Sequence, residues 1–401
     1  MNVSVYHEPS APGVGGAEVV TAVIAAGLAR EHRVTLHHHR PWLTSEKWAQ
    51  FADADLGNVT VRVVPPPARQ WHDAGGRPDR FLADLRAWQA DLSRGFDLFV
   101  TSTHGVPPFN HAARGAVYVH FPTDVRGEGW PWQGGGQGPL GRVRGWVRRR
   151  LHGRAWPERF AGYQIRLANS RFTADWTAAR WGVPCDVLYP PVRVDAFPDV
   201  AKRNRVAVLG RFDPMKRQLE LVRAFAARAA GPLAGWELVC LGHLSDAPSE
   251  RDYFATVGAA GAGAAVRLVP NPAAAELRAE LAAARVFWHA AGLADPPPPP
   301  ARQEHFGIAT VEAMAAGCVP FVPARGGQPE IVRDGIDGYV CASVDAIADR
   351  TAAALADPAA LDRRAAAARE RAHEFGRDRF DAELSRRVAA LAAAPAARRG
   401  A

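Results

Sequence analysis

The feature that most restricts the fold is a repeated alternation of short β-rich apolar runs with alanine- and leucine-rich helical stretches. Runs at 3–7, 33–38, 59–64, 96–102 and 116–121 read as strands, with a weaker sixth at 164–168, and 17–30 reads as the first helix. Runs that are apolar along their length mark strands covered on both faces, the pattern of a parallel sheet with helical crossovers. The alternation restarts after Tyr189-Pro190-Pro191, with strands at 206–209, 237–241, 266–269, 286–289 and 319–322. Helical patterns at 344–356, 359–375 and 380–393 close the chain. The expected class is α/β, with two doubly wound, Rossmann-like domains at 1–183 and 184–375. A helix within 376–401 is expected to return to the first domain. Two such sheets facing one another would leave a cleft at the carboxyl ends of their strands, where ligands bind in folds of this kind.

The chain has 401 residues, 48% of them hydrophobic, which is enough to build two cores. Its four cysteines, Cys185, Cys240, Cys318 and Cys341, show no C-x-x-C spacing. That argues against a disulfide framework or a zinc ribbon and for a reducing compartment. The apolar runs are shorter than the ~18 residues that span a bilayer, and Met1-Asn2-Val3-Ser4-Val5 lacks a basic leader, so a cytoplasmic chain is expected. A net charge of +8 favours anionic partners such as nucleotides, phospholipid surfaces or nucleic acid.

Three segments break the alternation, the first a Gly/Pro/Trp loop at 127–141. Residues 142–159 are strongly basic, with Val143, Trp146, Val147 and Leu151 at helical spacing and Arg144, Arg148, Arg149 and Arg154 beside them. Such a stretch suits a peripheral contact with an anionic membrane; a helix docked on its own domain with solvated arginines is the plainer account. The polyproline run 296–300 is a stiff surface spacer.

Three constellations carry chemistry. The first βα turn reads Gly13-Val14-Gly15-Gly16-Ala17-Glu18. The dinucleotide fingerprint requires glycine where Glu18 stands, which weakens a nicotinamide or flavin reading. Gly15 and Gly16 still leave N–H groups open to an anion at a helix start, although an ordinary tight turn explains them equally. The second constellation, Arg211 and Lys216, lies five residues apart just past a strand of the second domain. The two cations could clamp a diphosphate from two sides, or simply be surface charge flanking a loop.

The third is Glu304-His305-Phe306-Gly307-Ile308, running on to Glu312 and Gly317. A helix over 306–317 sets Glu304 before its N-terminus and Glu312 two turns inside, about 12 Å away along the axis. One carboxylate would then accept sugar hydroxyls and the other ribose hydroxyls. The N–H groups of Phe306, Gly307 and Ile308 would receive phosphate oxygens. An acid on so apolar a helix needs a hydrogen-bonded partner if it is buried, and a ribose would supply one.

The segment from Glu304 through Glu312-Ala313-Met314-Ala315-Ala316-Gly317, with Gly326-Gly327 beyond, resembles the Glu-x7-Glu donor-site motif of retaining glycosyltransferases of family 4, which have the GT-B fold. The likeness extends to Gly15-Gly16-Ala17-Glu18, to Ala168-Asn169-Ser170 and to Gly210-Arg211 with Lys216. It implies that Glu304 binds the donor sugar and Glu312 the ribose. Arg211 and Lys216 would neutralise the leaving diphosphate, and Gly16 would approach the reacting centre from the other domain. His120, in Tyr118-Val119-His120-Phe121-Pro122, matches the family's active-site histidine and would orient the transferred sugar. His120-Phe121-Pro122 is also similar to GDP-mannose-dependent mannosyltransferases.

The resemblance further implies a metal-independent enzyme with no cofactor, in which two cations and a helix N-terminus do the work of a divalent ion. The expected activity is retaining transfer of a hexose, mannose being one candidate, from a nucleotide-diphosphate sugar to a glycan or lipid-linked acceptor. A lipid-linked acceptor would bring the enzyme to the inner face of the membrane. A nucleotide-sugar epimerase would use the same cleft. A nucleic-acid-binding protein would use 142–159, but the chain lacks the aromatic-interleaved motifs of such modules, so no nucleic-acid partner is expected.

Overall fold

The computed structural model describes residues 1–7, 15–64, 78–122 and 157–394. Gly13 and Val14 of the first turn, the loop 127–141, and residues 142–156 of the basic stretch, lie outside them. The chain divides into two compact units, Met1–Tyr189 with Asp381–Ala401, and Pro190–Phe380.

The sheet of the first unit has seven strands: β1 (Asn2–His7), β2 (Arg33–His38), β3 (Val59–Val63), β4 (Leu98–Thr103), β5 (Arg114–Val119), β6 (Ile165–Ala168) and β7 (Asp186–Val187). Their spatial order is β3-β2-β1-β4-β5-β6-β7, and every pair is parallel. The second unit repeats the plan with β8 (Arg203–Leu209), β9 (Glu237–Gly242), β10 (Val266–Pro270), β11 (Ala284–Trp288), β12 (Val319–Pro323) and β13 (Tyr339–Cys341), in the order β10-β9-β8-β11-β12-β13. Each unit is a doubly wound α/β sheet. In each, the order reverses once, between β1 and β4 and between β8 and β11, and the loops leaving those strands diverge to make a crevice.

Continuous apolar runs made the central strands legible: Val206, Ala207, Val286, Phe287, Trp288, Val319 and Phe321 are all fully buried. β7 and β13 were not expected. They are two and three residues long and contribute too little apolar length to show a pattern. β5 ends at Val119, so His120 stands one residue beyond the strand.

The helix after β11 runs only from Ile308 to Ala315, with Gly307 as its N-cap at φ 128°. Its expected start at Phe306 is therefore two residues early. The last helix, Arg377–Ala393, begins in the second unit and ends in the first. In the first unit Asp381 pairs with Arg30 at 2.9 Å, and Arg114 donates to the carbonyls of Leu391, Ala392 and Ala394 at the helix end. No helix among the described residues is long and apolar enough to cross a membrane.

Candidate functional site

In the second unit the crevice is flanked by the segments leaving β8 and β11. After β8 comes Gly210, where an added Cβ would stand 3.3 Å from Lys216 Cγ, so its absence leaves room for the lysine stem. Asp213 caps the short turn Pro214–Lys216 by accepting from the Met215 N–H at 2.8 Å. Gln218 Nε2 donates to the Arg211 carbonyl at 2.6 Å. These contacts fix the loop that carries both cations.

Lys216 Nζ lies 2.6 Å from Glu304 Oε2, and His289 Nε2, one residue past β11, lies 3.2 Å from the same oxygen. The sequence placed Lys216 on phosphate and Glu304 on sugar as separate tasks. The structure brings them into one ion pair and adds His289, which the sequence placed at the end of the expected strand 286–289 without a role. Burial by itself would raise the Glu304 carboxyl, but the Lys216 ammonium and the His289 ring hold it well below the usual carboxylate range. The Arg211 guanidinium makes no hydrogen bond or ion pair among the described residues; its field reaches the Glu250 carboxylate.

Glu304 is positioned by backbone contact. Its carbonyl accepts from the Gly327 N–H at 2.8 Å. A Cβ on Gly326 would lie 2.2 Å from the Glu304 carbonyl oxygen, and one on Gly327 would lie 2.3 Å from that of His305. Gly326 also has φ 65°, a left-handed backbone that disfavours side chains. The glycine pair beyond the motif thus lets the acid-bearing loop pass at van der Waals distance.

The helix then gives each remaining residue its place. Because it starts at Ile308, only about four residue steps, ~6 Å of rise, separate its start from Glu312, and the expected 12 Å of continuous helix does not apply. Ile308 opens the first turn. The Thr310 N–H is taken by the Gly307 carbonyl at 3.0 Å. Phe306 is core: 3% exposed, its ring packs edge-on against Phe375 at 5.6 Å. Glu312 makes no hydrogen bond or ion pair among the described residues, and burial pushes its carboxyl up to about 7 against the pull of Arg377 and Arg278.

In the first unit, His120 is 4% exposed, with Nε2 2.7 Å from Ser102 Oγ and its ring stacked on His104 at 4.7 Å. Gly15 and Gly16 open the helix Gly16–Ala29, but the Gly15 N–H already donates to Glu18 Oε2 at 2.8 Å. Burial would raise the Glu18 carboxyl, yet His7 and that N–H hold it below its ordinary value. The glutamate that breaks the dinucleotide fingerprint is therefore the anion bound at this helix start. The triplet Asp53-Ala54-Asp55, spaced as metal-binding carboxylates can be, is a helix-ending turn: Asp53 is left-handed at φ 48° and Asp55 accepts from the Gly57 N–H. Among the described residues no three His, Cys, Asp or Glu side chains stand together as metal ligands.

Residues 195–372 match the family model of the glycosyl transferases group 1. A stretch of 129 residues is 33% identical to the GDP-mannose:cellobiosyl-diphosphopolyprenol alpha-mannosyltransferase of Komagataeibacter xylinus, covering 31% of this chain and 30% of that relative. Among solved structures, HepE of Anabaena in complex with UDP-glucose is similar over 96% of this chain and 99% of its own, at 16% identity and a TM-score of 0.67. Sucrose-phosphate synthase of Thermosynechococcus elongatus is similar over 98% of this chain and 100% of its own, at 17% identity and a TM-score of 0.67. The whole-chain likeness shows the GT-B fold, and the family match covers the second unit's crevice.

Proposed function

We propose that the protein is a retaining glycosyltransferase of family 4 type that moves a hexose from a nucleotide-diphosphate sugar to a glycan or lipid-linked acceptor, with GDP-mannose as donor. The observation that carries this reading is the crevice of the second unit. There two cations, a carboxylate held ionised and a second carboxyl that makes no hydrogen bond or ion pair among the described residues lie on the segments leaving β8 and β11, inside the family match. Mannose is supported by the name of the Komagataeibacter relative.

Lys216 and Arg211 hold the diphosphate, and Glu304, relieved of part of its pairing, accepts hydroxyls of the sugar. Glu312 accepts the ribose hydroxyls, while Gly307 and Ile308 offer N–H groups to phosphate oxygens. Gly15 and Gly16 contribute at the donor through Gly16, since the Gly15 N–H is engaged. His120 orients the transferred sugar. The acceptor oxygen bonds to the anomeric carbon on the face from which the diphosphate departs. The C–O electron pair leaves with the phosphate, which takes the acceptor proton. No divalent ion and no cofactor enter this scheme. A lipid-linked acceptor would set the basic stretch 142–159 against the inner membrane face of a cytoplasmic enzyme.

Thermal melts with GDP-mannose, UDP-glucose and ADP-glucose test the donor, because a ligand at 100 times its Kd stabilises by about 2.7 kcal/mol. GDP-mannose should give the largest rise, followed by GDP release on adding acceptor and an α-linked product by NMR. A larger rise with UDP-glucose, the ligand in the HepE structure, would replace the donor. No rise with any of the three would sink the reading.

A further inference from the structure

A connected set of buried polar side chains lies at the carboxyl edge of the first sheet. His7 ends β1, Ser102 lies in β4, Thr21 comes from the helix Gly16–Ala29 and His120 follows β5. Ser102, Thr21 and His7 are fully buried. Ser102 Oγ is 2.7 Å from His120 Nε2 and 2.8 Å from Thr21 Oγ1. Thr21 Oγ1 is also 2.8 Å from the Ala17 carbonyl and 3.2 Å from His7 Nδ1. His7 Nδ1 lies 3.1 Å from the Ser102 carbonyl, and since a carbonyl only accepts, that nitrogen carries a proton.

Each hydroxyl has one proton, so two complete arrangements exist. In one, Thr21 donates to Ser102 and Ser102 donates to His120 Nε2, which leaves the ring proton on Nδ1. In the other, His120 Nε2–H donates to Ser102, Ser102 donates to Thr21, and Thr21 donates to the Ala17 carbonyl. Neither leaves a hydroxyl proton of the pair unused. Among the described residues, rings near His120 include His104 at 4.7 Å, Tyr118 at 5.2 Å and His7 at 6.5 Å, with Glu18 3.4 Å behind His7.

We propose that Ser102, backed by Thr21, is a positioning residue for His120, a reversible hydroxyl pair that holds the imidazole in one place while serving either tautomer. The ring can then change tautomer without moving. This rests on the reading of His120 as the residue that orients the transferred sugar.

The test compares Ser102→Ala, Thr21→Val and His120→Gln in the full chain by GDP release from GDP-mannose and by nitrogen-15 spectra of histidine-labelled protein. Ser102→Ala should lower kcat about 10- to 100-fold with the donor KM within about twofold, as expected of a misplaced group. It should also move the His120 Nε2 resonance, assigned as the one lost in His120→Gln. Thr21→Val should move kcat and resonance the same way by less, and it decides the matter if Ser102→Ala does not fold. Wild-type kcat and an unmoved resonance in both hydroxyl variants, with His120→Gln inactive, would overturn the proposal and leave the reading of His120 standing. Full turnover by His120→Gln would instead overturn that reading. If GDP-mannose is not turned over, the nitrogen-15 shift decides alone.

Discussion

At Glu312 burial and the proposed ribose contact would act on one carboxyl in opposite senses. Its carboxyl, raised to about 7 by burial, keeps a proton in the folded state that the unfolded chain loses near 4.5. Its contribution to stability is therefore full below 4.5 and is lost as pH rises towards 7. Ribose hydroxyls donate to the charged form and favour ionisation. Nucleotide affinity should rise with pH up to about 7 and level off above it. Glu312→Gln should flatten that profile and weaken nucleotide binding, while raising Tm at pH 8 by on the order of 2 °C because no charge is then buried. Calorimetric titration from pH 5 to 8 checks the first effect and a thermal melt the second. An affinity independent of pH in the parent would remove Glu312 from the ribose.

At the level of elements, the pairing of Lys216 with Glu304 follows from strand order. Eighty-eight residues separate them, but β8 and β11 are neighbours, so the segments that leave them meet. On the proposed function Lys216→Ala would remove leaving-group stabilisation, and it takes from Glu304 its ammonium partner, leaving the His289 contact. Turnover should fall about 100-fold, and Tm should fall as well. Steady-state GDP release measures the first, and unchanged turnover counts against the clamp. The strands and both acids were legible because apolar runs and a spaced motif are local patterns. The ion pair was not, because strand order is a global property that no local pattern records. The start of the helix at Ile308 was hidden for another reason: Phe306 reads as an apolar helical residue, but its ring belongs to the core against Phe375. Gly307, at φ 128°, marks the true boundary, and its conformation cannot be seen in the letters alone.

Over the whole molecule, both units bury histidines that acid would charge, two in the first unit and one in the second. In the first unit, burial and then neighbouring positive charge push His37 and His38 down to about 4. The unfolded chain takes up these protons near 6.5, so their contribution is full above 6.5 and is lost as pH falls towards 4. In the second unit burial likewise pushes His305 down to about 4, but Glu312 offsets it by gaining stability as pH falls from 7 towards 4.5. At pH about 5 the first unit should open before the second. Hydrogen exchange followed by proteolysis would show amides of β1, β2 and β4 exchanging ahead of those of β8 and β11; simultaneous loss would contradict the assignment. A last consequence belongs to Glu18, whose carboxylate closes the start of the opening helix from within. An outside anion would have to displace the chain's own negative group there, so this helix start is guarded by its own sequence.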